Sequence, residues 1–207
     1  MHKGMAFEQF MPGATAVGLA FADGVVLAAE KRVSFGTYVV SRSGKKVFKI
    51  TERVGAACAG MVADMQILMR QVESIARLKA FEIRREVPPN SIGKLVSVLL
   101  FERRYFPLLT QIIIGGIDVY TDKPSIYTLD PLGSILPDDY AAVGTGAEMA
   151  IGVIEASYRP EMSEQEARDL AIRAIRSAVA RDAASGDGVD MLIITRNGCK
   201  EESLRLS

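Results

Sequence analysis

The chain has 207 residues, with 25 basic and 25 acidic side chains and a hydrophobic fraction of 49%. That length fits one domain with a substantial core, and the balance of polar and apolar residues argues against disorder. Zero net charge gives no global attraction to nucleic acid or to an acidic membrane, and no apolar run approaches the roughly 18 residues of a spanning helix.

Residues 1–14 read as a leader ahead of a single domain, 15–207. Ala14-Thr15-Ala16 imitates a signal-peptidase site, but Glu8 and Gln9 interrupt the apolar stretch that a secretory signal needs, so a cytoplasmic protein is expected. Alternation over 15–22, the turn Asp23-Gly24 and the apolar run 25–29 predict a hairpin of two strands. Further short strands follow at 38–40, 46–50 and 54–59. Apolar residues at helical spacing (Met65, Leu68, Met69, Val72, Ile75, Ala76) then predict a helix over 61–86. Pro88-Pro89 stops it, and Asn90 or Ser91 is positioned to cap a second helix running to about Arg104.

Strands return at 109–117 and 126–129. A helix is expected over 146–158, and Ser163-Glu164-Gln165-Glu166 is a capping box opening an amphipathic helix to about Arg181. The chain closes with a strand at 189–195, an Asn197-Gly198 turn and a final strand near Ser203-Leu204. Helices grouped in pairs between runs of strands argue against a doubly wound parallel sheet. They predict an α+β fold in which two packed sheets carry a helix pair on each outer face.

Two cysteines, Cys58 and Cys199, form neither a metal-binding spacing nor a disulfide framework, and Cys58 reads as a small buried residue. The single histidine, His2, sits in the leader, which leaves no partner for a Ser-His or Cys-His pair. Gly144-Thr145-Gly146 before a helix invites a phosphate loop, but Met149 stands where a dinucleotide fingerprint needs its third glycine. The segment from Asp182 to Gly188 lacks the alternating ligands and closing glutamate of a calcium loop. It reads either as a helix C-terminal turn or as Asp182 and Ser185 held beside a site. Glu30-Lys31-Arg32 and Lys45-Lys46, taken alone, read as surface charge.

Taken together, these segments resemble the β subunit of the archaeal 20S proteasome. The resemblance rests on AVGL (16–19), DGVVLAAEKR (23–32), GKKVFKI (44–50), AG (59–60), RYFP (104–107), GGID (115–118), GTG (144–146) and RDAASGDG (181–188), in the family's order from about residue 13 onward. It implies the four-layer αββα sandwich of N-terminal nucleophile hydrolases. It also implies threonine-dependent peptide-bond hydrolysis with no metal or organic cofactor. The implied partners are α subunits and other β subunits in stacked seven-membered rings, with an ATPase unfoldase supplying unfolded polypeptide. In that family a threonine exposed by removal of the leader attacks the peptide carbonyl, and its own α-amine takes the hydroxyl proton, so no histidine is needed.

Carried over residue by residue, the resemblance makes Lys46 the cation that stabilises the ionised hydroxyl and Glu30 its partner. The backbone N–H of Gly60 becomes the oxyanion donor. Asp182 and Ser185 hold the α-amine and its water, with Thr145 where many relatives have serine. Val33, Gly44, Cys58 and Val62 line the pocket for the residue before the cut. The departure is at the start: an ungapped alignment puts Ala14, which has no hydroxyl, at the nucleophile position and Thr15 one place later. Three readings stand. The chain is a non-catalytic subunit of the second β type found where two β paralogues share a ring; or the cut falls after Ala14 and Thr15 becomes the nucleophile; or Ala14 is an inactivating substitution. A one-residue shift turns a strand side chain to the opposite face, which weighs against Thr15.

Overall fold

The computed structural model describes residues 13–206, so the predicted leader lies outside the described residues apart from Gly13 and Ala14. Twelve strands and four helices are formed among these residues. β1 (Thr15–Phe21) and β2 (Gly24–Glu30) are buried along their whole length, because one face meets a second sheet and the other meets helices. They form the centre of an antiparallel sheet ordered β10-β1-β2-β11-β12, completed by β10 (Tyr140–Gly144), β11 (Val189–Thr195) and β12 (Gly198–Leu204).

The second antiparallel sheet is ordered β5-β6-β7-β8-β9. It contains β5 (Val47–Lys49), β6 (Val54–Gly60), β7 (Thr110–Ile117), β8 (Pro124–Leu129) and β9 (Ile135–Asp138). A separate two-stranded ribbon joins β3 (Val33–Phe35) to β4 (Tyr38–Ser41).

Three apolar layers hold the four-layer sandwich together. Between the sheets lie Ala16, Leu27, Ile113, Ile126 and Leu192. The sheets approach closely where Gly18 faces Ile113 and Gly115 faces Leu27; an added Cβ would meet those side chains at 2.7 and 3.0 Å. On one outer face, α1 (Val62–Ile83) and α2 (Pro89–Glu102) bury Met65, Leu68, Val72, Ile92 and Val96 against the β5–β9 sheet. On the other, α3 (Ala147–Glu155) and α4 (Glu164–Val179) bury Ile154, Leu170, Ala174 and Ile175 against the β1-containing sheet.

The capping box predicted at Ser163 is present: its hydroxyl accepts the Glu166 N–H, and the Glu166 carboxylate accepts the Ser163 N–H. The expected cap at Asn90 or Ser91 is corrected. Pro88 is the N-cap and Pro89 the first helical residue of α2, a position where proline's missing N–H costs nothing. α1 stops at Ile83, not Glu86, because Arg84 turns left-handed (φ 52°) and closes on Ala80 O. β3, β9 and β10 were not expected from the sequence; each is three to five residues long, too short for a clear alternation.

Candidate active site

The start of β1 decides which side chains can meet. Alternation along a strand sends successive residues to opposite faces. Ala14, Ala16 and Ala20 enter the inter-sheet core, whereas Val17, Leu19 and Phe21 enter the core beneath α3 and α4. Thr15 follows the second set. It is fully buried, and its hydroxyl lies 2.8 Å from Ser185 Oγ. A Cβ on Gly146 would come within 2.1 Å of Thr15 Oγ1 and 2.7 Å of Ala178 Cβ on α4, so the hydroxyl points into the helix layer.

A relay continues from there. Ser185 donates to Asp182 Oδ2 at 2.7 Å, and Thr145 donates to the same oxygen at 2.6 Å. The Ala14 N–H donates to Thr145 Oγ1 at 3.2 Å. The structure therefore brings Thr15, Ser185, Asp182, Thr145 and the Ala14 amide into one chain of hydrogen bonds.

Lys46 and Glu30, read alone as surface charge, are instead buried, and that reading is corrected. Lys46 Nζ donates to a Glu30 carboxylate oxygen and, at 2.6 Å, to Arg32 O. The other carboxylate oxygen accepts the N–H groups of Arg32 (2.7 Å) and Gly186 (3.0 Å). Burial pushes the Glu30 carboxyl above its ordinary range and the Lys46 ammonium below its own; their mutual attraction opposes both shifts.

Lys46 also lines an apolar pocket of about 260 Å³ with Gly13, Val33, Val40, Gly60 and Val62. Gly60 holds φ at 128°, and a Cβ there would lie 2.2 Å from Leu109 O, so glycine is required at that wall. Two expected lining residues are elsewhere. Cys58 faces the α1–α2 layer, because its neighbours Ala57 and Ala59 take the inter-sheet side of β6; burial pushes its thiol far up. Gly44 backs the wall without lining it: its N–H donates to Lys31 O at 2.9 Å, and a Cβ would strike Val33 Cγ2. Neither Ala14 nor Thr15 lines the pocket.

Sequence reading passed over Arg32, Asp187 and Gly186. The available signal was the position of Arg32 two residues beyond the paired Glu30, and the glycines flanking Asp187. Among the described residues, no group of three or more His, Cys, Asp or Glu is arranged to hold a metal ion. No helix among them is long and apolar enough to cross a membrane.

A four-layer αββα sandwich, with a buried lysine–carboxylate pair and a hydroxyl–carboxylate relay at the start of its first central strand, is the architecture of an N-terminal nucleophile hydrolase. The family model described as "Proteasome subunit" matches residues 11–194. "Proteasome subunit beta 1" of Nitrosopumilus maritimus is 59% identical over 94% of this chain and 96% of its own length. "Proteasome subunit beta 1" of Cenarchaeum symbiosum is 56% identical over 92% and 97%. "Proteasome subunit beta 2" of Pyrobaculum calidifontis is 46% identical over 96% and 97%. The chain belongs to the proteasome subunit family, as an archaeal β subunit of the core particle, and assembles there with α and β subunits.

Proposed function

We propose that this chain is a non-catalytic member of the β ring, which supports assembly and shapes neighbouring sites while partner β subunits hydrolyse the peptide bonds. The observation that carries this reading is the division of Ala14 and Thr15 between the two faces of β1. The methyl of Ala14 takes the inter-sheet side, and the hydroxyl of Thr15 is committed to Ser185 beneath α4. In this reading the ring is seven-membered and stacked on α rings. An ATPase unfoldase delivers unfolded polypeptide to the chamber, and the particle works in the cytoplasm.

A second reading is favoured by the retained Glu30–Lys46 pair and by Asp182, Ser185 and Thr145. In it the leader, residues 1–14, is cut away and Thr15 is the nucleophile. It requires Thr15 to leave Ser185 and cross the sheet, against its pairing with Gly144 of β10 and the adjoining pairing of Ala16 with Ala29 of β2. The supporting groups have a role without catalysis, since a satisfied buried ion pair is costly to break.

Intact mass, N-terminal sequencing and labelling with a threonine-directed inhibitor separate the two in the assembled particle. The expected result is no label on the parent chain. Ala14→Thr should gain both the label and a mature chain beginning at position 14. A parent chain that begins at Thr15 and takes the label would overturn the proposal.

A further inference from the structure

The relay residues Asp182 and Ser185 sit on the loop after α4, and α4 itself does not reach them: it ends at Val179. The described contacts show what fixes this loop to the sheet. The Arg32 guanidinium crosses from the end of β2, donating from Nε to Asp187 Oδ2 at 2.9 Å and from one terminal nitrogen to Ala183 O at 3.0 Å. The guanidinium packs against Gly186, where a Cβ would come within 2.4–2.8 Å of Nη2, Cζ and Nε. Asp187 holds φ at 71°, and the Gly188 N–H closes a three-residue turn around it on Gly186 O at 2.9 Å. An L-residue rarely adopts that conformation, and it persists where its surroundings hold it.

The same turn presents its backbone to the ion pair. The Gly186 N–H reaches Glu30, and Gly186 O accepts the Lys31 N–H at 3.2 Å. Arg32 thus bridges both halves of the site: its backbone N–H and C=O meet Glu30 and Lys46, while its side chain holds the loop that carries Asp182 and Ser185. We propose that the Arg32–Asp187 clamp is a positioning device that sets the relay of Asp182 and Ser185 relative to the Glu30–Lys46 pair, acting through the turn at Asp187 and touching no reacting atom. Arg42, 78% exposed and 3.7 Å from the same carboxylate, is a minor partner. The pair is present in a chain with no hydroxyl at position 14, which leaves the site pre-set for a nucleophile placed there. In that respect the inference rests on the proposed function.

The test uses the whole core particle carrying Ala14→Thr, compared with Ala14→Thr/Asp187→Asn; Arg32 itself lines the apolar pocket and Asp187 does not, so the clamp is opened from the Asp187 side. Partner β subunits are inactivated in both particles so that only this chain's site is read. The expected result is a fall in kcat of tenfold or more, a KM within about threefold, and faster amide exchange over residues 182–188. Equal kcat with unchanged exchange would overturn the clamp. Should Ala14→Thr itself be inert, the proposed silent-site reading fails separately. The clamp is then judged on Asp187→Asn alone: faster exchange over 182–188 with helix α4 unchanged supports it, and unchanged exchange sinks it.

Discussion

Glu30→Gln keeps the shape of the side chain and an acceptor for the Arg32 and Gly186 amides, but removes the charge opposite Lys46. Lys46 is 1% exposed, so its ammonium is left in a dry site without its ion-pair partner. It can relieve that by losing its proton, which caps the cost at pH 7 at about 5 kcal/mol for a lysine of ordinary pKa 10.5. Breaking buried pairs costs about 3–5 kcal/mol, in keeping with that cap. For a chain of this size the loss is about 6–20 °C in Tm. The sign of the pH dependence follows. Removing Glu30 drives the already lowered Lys46 pKa further down, so between that value and 10.5 the unfolded chain binds the extra proton. Stability of Glu30→Gln therefore rises with pH through this window, by up to about 1.4 kcal/mol per unit.

Lys46→Met runs in the opposite direction. The Glu30 carboxyl, already raised above 4.5, moves higher, and the folded chain now holds the extra proton. That variant is least affected near pH 4.5 and loses at most about 3.4 kcal/mol at pH 7. The double variant carries neither charge and should cost less than the two singles added together. Thermal and urea unfolding of the isolated subunits, followed by circular dichroism from about pH 5 to 9.5, reads all of this. Parallel pH slopes for the two single variants, or additive costs, would refute the reasoning.

Other outcomes follow from single contacts. Thr15→Val should cost about 0.5–1.5 kcal/mol, the worth of its bond to Ser185, and leave peptide hydrolysis by the particle at the parent rate; loss of most hydrolysis would make Thr15 a nucleophile. Gly146→Ala should cost about 1–3 kcal/mol by driving a methyl into Thr15 and Ala178, seen as a lower urea midpoint. Ser163→Ala removes the capping box and should lower stability by about 0.5–2 kcal/mol, with the loss concentrated in amide exchange at the first turn of α4. Iodoacetamide should add a single slow adduct to the folded chain, at half-buried Cys199. Cys58 is fully buried with its thiol pushed far up, and two rapid adducts by intact mass would contradict that burial.

The sandwich was legible in the sequence because its long elements carry strong periodicity. The stripe of Met65, Leu68, Met69 and Val72 and the box at Ser163 each repeat a helical rule several times over. The short strands at the rim carry too few residues for any period, and the start of α2 was misread because Asn90 and Ser91 are better caps by side chain than Pro88. Within the site, Glu30 and Lys46 could be recognised only through the family resemblance: side-chain chemistry alone sends both to the surface, and only the three-dimensional crossing of β2 and β5 buries them together. Cys58 was assigned to the pocket although a strand's alternation turns it toward α1. The Arg32–Asp187 contact spans 155 positions, a separation that no local pattern reports.

β1 is held on both sides, with Ala16 opposite Val143 and Ala29, and Val17 opposite Ala142 and Ala28. A strand fixed in this way works as a ruler. Whatever becomes of the residues before it, the sheet has already determined that Ala14 enters the inter-sheet core and that Thr15 is turned toward the helix layer. Moving the cut by one position changes the length of the new terminus without changing its aim. Under the proposed function, a hydroxyl serves this site only if position 14 carries it, and a cut made elsewhere does not supply one.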